Sequence, residues 1–264
     1  MSIHLLANRN KHPRDAFISF DEGPHIYTVR GDTSFTSVTT WNHMHFPKFD
    51  ANKIISNILR SSKMKDPEYK YYGQSRNDII KMWDDNRDAA ANAGTQTHLN
   101  IEQYYNEMIV EDESIEYKYF QNFVKAYPHL KAYRTEWCIY HEEMKLSGSI
   151  DMLFKDENTG EFKIYDWKRS KGIEYESYYG KTATTPCIAH MPDTNFWHYS
   201  LQLNVYRRIL KDKYDIDVTE LALVVLHPDN YSKDYEIVEV PILDNELDNL
   251  WEYRKEQLCN INIP

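Results

Sequence analysis

Two carboxylates and a lysine stand close together near the middle of the chain. Asp151 closes Gly148-Ser-Ile-Asp151, and Asp166 and Lys168 lie in Ile164-Tyr-Asp166-Trp-Lys168. The stretches Gly148 to Phe154 and Glu161 to Trp167 alternate with period two, and Asp156-Glu157-Asn158-Thr159-Gly160 supplies a turn between them. Residues i and i+2 of a strand face the same side, so Asp166 and Lys168 point one way and Trp167 the other, into the core. Adjacent strands bring Asp151 to the same end of the sheet, beside Gly148, which allows close backbone approach. Two unit charges about 4 Å apart repel by roughly 4 kcal/mol at an effective dielectric of about 20. A shared proton, a lysine or a divalent cation must therefore neutralise them. Hard oxygen ligands with open positions suit magnesium or manganese, and such an ion activates water and stabilises charge on a phosphoryl group. Lys168 would orient the water or stabilise the transition-state charge. The plain alternative is a surface hairpin with an i,i+2 ion pair, which is worth little.

Upstream, Gly94-Thr95-Gln96-Thr97-His98 falls in a stretch of helical composition, with Glu102 one turn beyond His98 on the same face. Downstream, Gln202 and Tyr206 share a helical face at i,i+4. With these companions the sequence resembles the RecB-like branch of the PD-(D/E)XK nucleases. That branch carries, in order, G-x-x-x-H on a helix, G-x-x-D, D/E-x-K and Q-x-x-x-Y. Here the four fall at His98, Asp151, Asp166/Lys168 and Gln202/Tyr206, separated by 53, 15 and 34 residues. The resemblance covers about residues 94 to 210. It extends more loosely to His25, Tyr27, Gly31 and Ser37-Val38-Thr39, a pattern similar to phage, viral and mitochondrial exonucleases.

The resemblance implies an α/β fold: a PD-(D/E)XK (restriction-endonuclease-like) core with a mixed β-sheet flanked by helices, plus an N-terminal β-hairpin and a helical region. It implies that His98, Asp151 and Asp166, with the carbonyl of Trp167, hold Mg2+ or Mn2+, and that Lys168 is the catalytic lysine. Glu136, in Thr135-Glu136-Trp137, matches an acidic position on the preceding strand and is a further ligand candidate. Gln202 and Tyr206 would support the site or touch the DNA backbone. Apart from the resemblance, the basic Arg169 and Lys171 precede Tyr178 and Tyr179 closely, and bases interleaved with aromatics could bind a DNA strand, with core packing an equal reading of the tyrosines. Cluster-bearing relatives use four cysteines, which Cys138, Cys187 and Cys259 cannot supply, so no iron–sulfur cluster is expected. No helicase module is present. The expected activity is a metal-dependent deoxyribonuclease, an exonuclease acting on DNA ends or single strands in recombination, repair or genome processing, with room for a protein partner. Two alternatives stay open: an RNA endonuclease of the cap-snatching kind, and a non-catalytic DNA-binding or scaffold subunit.

The elements that must position these residues follow from periodicity. The first fifty residues read as a β extension, with His25 to Val29 and Ser34 to Thr40 as strands about the turn Arg30-Gly31-Asp32. Residues 51–130 read as helical, with Gly94 as an interruption. Residues 131–230 form the catalytic core, with strands at 136–140, 148–154, 161–167 and 221–226 and a helix at 199–210. Residues 231–264 close the chain with a strand and a helix. Residues 171–197 lack a period and contain Pro186 and Pro192, so they predict a long ordered loop over the site. Its Tyr178-Tyr179 pair could stack bases or pack on the sheet. Arg207 and Arg208 would form a basic margin where the loop returns.

Composition agrees with a single intracellular domain. The 264 residues are 41% hydrophobic and 14% aromatic, enough for a sizeable core. There is no apolar run of membrane-spanning length and no signal-peptide pattern, and three scattered cysteines argue against a disulfide framework. The formal charge of −10 predicts weak non-specific attraction to nucleic acid. Gly180-Lys181-Thr182 lacks the rest of a phosphate-binding loop, His43 and His45 lack zinc-motif companions, and the acidic run from Glu107 to Glu116 reads as solvated.

Overall fold

A computed structural model describes residues 4–261. Contacts divide the described residues into two compact units, one of residues 4–47 with 97–261 and one of residues 48–96. The larger begins with α1 (Leu5–Arg9) and the antiparallel hairpin β1 (Ile18–Asp21) and β2 (Ile26–Val29). The predicted strand over 34–40 is reduced to β3 (Thr36–Ser37), because the Ser37 hydroxyl accepts the Thr40 N–H and starts helix α2 (Val38–His43). The N-terminal segment is therefore helix, hairpin and helix, not strands alone.

The smaller unit holds α3 (Ala51–Arg60) and most of α4 (Arg76–Tyr105). Gly94 does not interrupt α4, which runs through it and continues into the larger unit from Thr97. There follow α5 (Ile115–Ala126), β4 (Leu130–His141), β5 (Leu146–Asp156), β6 (Phe162–Lys168), α6 (Asn195–Tyr214), β7 (Val218–Val225), β8 (Glu236–Val240) and α7 (Asp244–Ile261). The mixed sheet runs β3-β5-β6-β7-β8, with β4 pairing β5 and with β6 and β7 parallel. Helices flank it, as an α/β chain requires to cover both apolar faces. One face buries Trp137, Ile150, Ile164 and Leu223 against Leu201, Val205 and Tyr206 of α6; the other buries Met152, Phe154, Tyr165 and Trp167 against Ile101, Phe120 and Phe123.

The register of β5 creates the site. Along one edge, β3 pairs only with Leu146 and Ser147, and β6 pairs only from Met152 to Lys155. The residues between, Gly148 to Asp151, have no ladder partner on that edge. Beyond Met152↔Tyr165 the strands β5 and β6 part, and β6 continues with β7 as far as Lys168↔Val225. Within β5, Ile150 lies in one core and Met152 in the other, so the strand changes phase at Asp151. Opposite Asp151 on β4 sits Glu136, between the pairs Thr135↔Met152 and Trp137↔Ile150, with φ +42°. A glutamate in left-handed backbone is unusual and collects at functional sites.

The 171–197 connection divides into two parts. Ala183, Ile188 and Met191 are buried in the core, and the Thr184 N–H donates to the His45 carbonyl at 2.8 Å, so this part is a packed flap. The earlier part is tied at its base: Asn195 donates to the Gly172 carbonyl and accepts the Glu174 N–H, both at 2.8 Å. Beyond that base Tyr178 and Tyr179 are 78% and 88% exposed, so neither packs on the sheet. Among the described residues no helix is long and apolar enough to cross a membrane.

Candidate active site

The fork between β5 and β6 brings four of the expected residues onto one point. The Asp151 carboxylate accepts the Trp167 N–H at 3.1 Å, just beyond the point where the ladder ends at Met152↔Tyr165. From α4, His98 hydrogen-bonds the Trp167 carbonyl through Nε2 at 2.9 Å. Its Nδ1 faces Glu136 at 3.5 Å and Asp151 at 3.6 Å. The Ser149 hydroxyl donates to the other Glu136 oxygen at 3.1 Å. His98, Glu136 and Asp151 each present a ligand atom within 4.8 Å of the others. One imidazole nitrogen and two carboxylates, beside a backbone carbonyl, are the donor types that magnesium or manganese accepts, so the residues present fit a divalent cation.

Asp166 and Lys168 occupy the adjacent position. They share a face of β6 while Trp167 enters the opposite core, as the spacing predicts. Asp166 is 2% exposed and pairs with the Lys168 ammonium at 2.5 Å. The ammonium also lies 4.7 Å above the Tyr199 ring, on the first turn and a half of α6. Asp166 thus belongs to the lysine more closely than to the His98 trio, although Asp151 is near enough to raise its pKa.

The electrostatics are those of converging carboxylates. Burial and then the Asp151 charge push Asp166 up to about 6, with Lys168 opposing. Burial also raises Asp151, against the pull of His98. Burial disfavours charged His98, but Asp151 and Glu136 outweigh it and hold the imidazole up at about 9. Asp166 and Asp151 likewise overcome burial to raise Lys168. At neutral pH the cluster supplies its own cation in His98. The sign follows: His98 stabilises the fold fully below its unfolded pKa near 6.5, and that contribution is lost as pH rises through about 9. In chelator, the stability advantage of the wild type over His98→Gln should shrink between about pH 6 and pH 9.5. Thermal melts across that range check it, and a constant difference would show an uncharged ring. The difference is the readout because buried His45, depressed to about 4, acts with the opposite sign.

Other expected residues find different partners. Tyr206 is buried, receives a hydrogen bond from Gln202 at 3.1 Å, and packs on Gly148, where a Cβ would lie 2.7 Å from Tyr206 Cε1. Gly148 is therefore required by the phenol ring, and Tyr206 is buried beneath β5. Arg169 is clamped by Glu116 at 2.7 Å, which removes it from the free surface and corrects the reading of Glu116 as solvated. Arg207 and Arg208 are paired with Asp244, Asp212 and Asp248, so the basic margin is neutralised. Lys171 has an 82% exposed side chain, 4.0 Å from Asp229. Of the two decoy histidines, His45 is buried on Thr185 at 2.9 Å and His43 is exposed.

Two residues gain a place here. Tyr27, on β2, is buried with its phenol against the Ser149 N–H and near Glu136 and Asp151; burial and these charges raise its pKa. Its signal was the H-x-Y-x-x-x-G spacing, to which sequence alone attached no role. Glu102 and Glu136 line a cavity of about 360 Å³ together with Asp15, Arg134 and Cys138. Burial, then Glu136 and Glu22, push Glu102 up to about 7. No family model matches the chain, and no curated protein matches it.

Proposed function

We propose that the protein is a metal-dependent deoxyribonuclease with a PD-(D/E)XK core, hydrolysing phosphodiester bonds at DNA ends or in single strands. The observation that carries the reading is the convergence of His98, Glu136, Asp151, Asp166 and Lys168 on the gap left where β5 and β6 part. A scaffold gains nothing from buried like charges that cost it stability.

When bound, Mg2+ or Mn2+ would lower the pKa of a water and stabilise charge on the phosphoryl oxygens. The chain's own part is positional. His98 through Nδ1, Asp151 and Glu136 would hold the ion; the Trp167 carbonyl orients the imidazole through Nε2, and the Trp167 N–H and Ser149 hydroxyl fix the two carboxylates. Lys168, pinned between Asp166 and the Tyr199 ring, would present its ammonium to the attacking water or to the phosphoryl group. The Tyr178-Tyr179 pair, with ring centroids 4.4 Å apart, would offer faces for unpaired bases.

End-labelled single- and double-stranded DNA and matched RNA, incubated with Mg2+, Mn2+ or chelator, test the reading. Metal-dependent shortening of DNA is expected. Cleavage of RNA alone would favour the cap-snatching alternative, and cleavage of neither would overturn the assignment. A second prediction concerns the tyrosine pair. Replacing Tyr178 and Tyr179 with alanine should weaken single-strand binding by about 1–3 kcal/mol per stacked base, with the melting temperature unchanged. Unchanged affinity in anisotropy titrations would exclude the pair from the strand path.

A further inference from the structure

The acidic charge of the chain is not shared by its smaller unit. Residues 48–96 carry nine lysines and arginines against seven acids, leaving 22 against 34 for the rest. Between Lys48 and Lys81 the balance is eight bases to four acids.

What these charges do inside the fold differs by sign. Asp50 caps α3 by accepting the Lys53 N–H at 2.9 Å, Asp66 accepts the Glu68 N–H at 3.0 Å, and Asp78 accepts the Ser75 N–H at 2.9 Å. Three of the four acids are thus committed to backbone groups that folding leaves without partners. The bases have no such employment. The ion pairs of this unit are those of Arg87 with Asp84 and Asp88; none of the eight bases from Lys48 to Lys81 joins one among the described residues. Arg76 alone is half-buried, hydrogen-bonded to Ser56 at 2.7 Å, and the other seven are exposed. Aromatic residues are interleaved with them. Phe49 is 73% and Tyr72 49% exposed, and Lys70 lies 5.2 Å from the Tyr71 ring centroid. Solubility does not require these cations in a chain already at −10.

Unpaired, exposed cations beside exposed aromatic faces match a polyanion that also has rings to stack. We propose that residues 48–81 form a sequence-independent binding surface for single-stranded nucleic acid, with Lys53, Arg60, Lys63 and Lys65 on the phosphates and Phe49 and Tyr72 available to bases. The substrate class rests on the nuclease reading, whereas the surface itself can be tested without turnover.

The test is an anisotropy titration of a fluorescein-labelled thymidine oligonucleotide with the full chain in chelator, from about 50 to 200 mM salt. Replacing Lys53, Arg60, Lys63 and Lys65 together with glutamine should lower affinity about tenfold or more at the low-salt end. The slope of log K against log salt should become shallower by about 0.7 for each phosphate that the variant no longer neutralises. The control set is Lys118, Lys125, Lys155 and Lys211 changed to glutamine; these are exposed and belong to the larger unit. Because no ion pair is removed, the melting temperature should hold in both variants. Equal losses from the two sets would reduce the effect to bulk charge and overturn the proposal, as would unchanged affinity. A patch variant that releases phosphatidylserine vesicles but keeps the oligonucleotide, or a wild type that prefers duplex, would overturn it as well. Failure of the nuclease reading is seen separately, as wild-type protein that binds the oligonucleotide but does not shorten it with Mn2+.

Discussion

An Asp166→Asn substitution is expected to abolish cleavage while single-strand binding survives. The asparagine keeps the shape of the carboxylate but removes the charge that holds Lys168 at 2.5 Å and that stands beside Asp151. Both partners are then misplaced for a reaction in which charge stabilisation contributes most of the rate. Loss of one such electrostatic interaction commonly costs about 10² to 10³ in rate, and the coupled loss of Lys168 should carry the variant to the upper end or below detection. Timed digestion of end-labelled DNA in Mn2+ measures it, with anisotropy in chelator reporting binding. Wild-type turnover in this variant would sink the site assignment. The same reasoning orders the metals: manganese should support activity at least as well as magnesium, since an imidazole ligand suits the softer ion.

Lys168→Ala is expected to lower the rate by about 10² to 10³ with metal affinity retained. The basis is geometric. His98, Glu136 and Asp151 form their cluster without Lys168, whose ammonium instead faces Asp166 and Tyr199. Calorimetric titration of Mn2+ into wild type and variant, run beside turnover, separates the two effects. Equal loss of metal binding and rate would make Lys168 a structural counter-charge of the carboxylates. Lys168→Arg should not rescue the rate, because a planar guanidinium does not fit where a compact ammonium sits 18% exposed between a carboxylate and a ring.

Charge is segregated along the chain, whose overall composition is acidic. Acids dominate the larger unit, where they pair with Arg207, Arg208 and Arg169, and the surplus cations lie in residues 48–81. Net charge alone hides that division because it averages over it.

Sequence by itself determined the parts of this protein that depend on local periodicity. The alternation at 161–167 places Asp166 and Lys168 on one face and Trp167 on the other, and the sheet keeps that arrangement, whereas the alternation read over 148–154 is broken within β5. Helical spacing likewise puts His98 and Glu102 on one side of α4. Tertiary structure alone decided the rest. Nothing local announces that β5 changes phase at Asp151, that Glu136 adopts φ +42° opposite it, or that Asp151 takes the Trp167 N–H where the ladder stops. Those features exist only when β4, β5 and β6 are assembled, since each is a relation between strands. The partners of Arg169, Arg207 and Tyr206 follow the same rule. A charge or phenol in sequence carries no record of whether the fold will bury it, and packing against Glu116, Asp244 or Gly148 is what removed these three from the free surface. Period fixes which way a side chain points, and packing decides what it meets there.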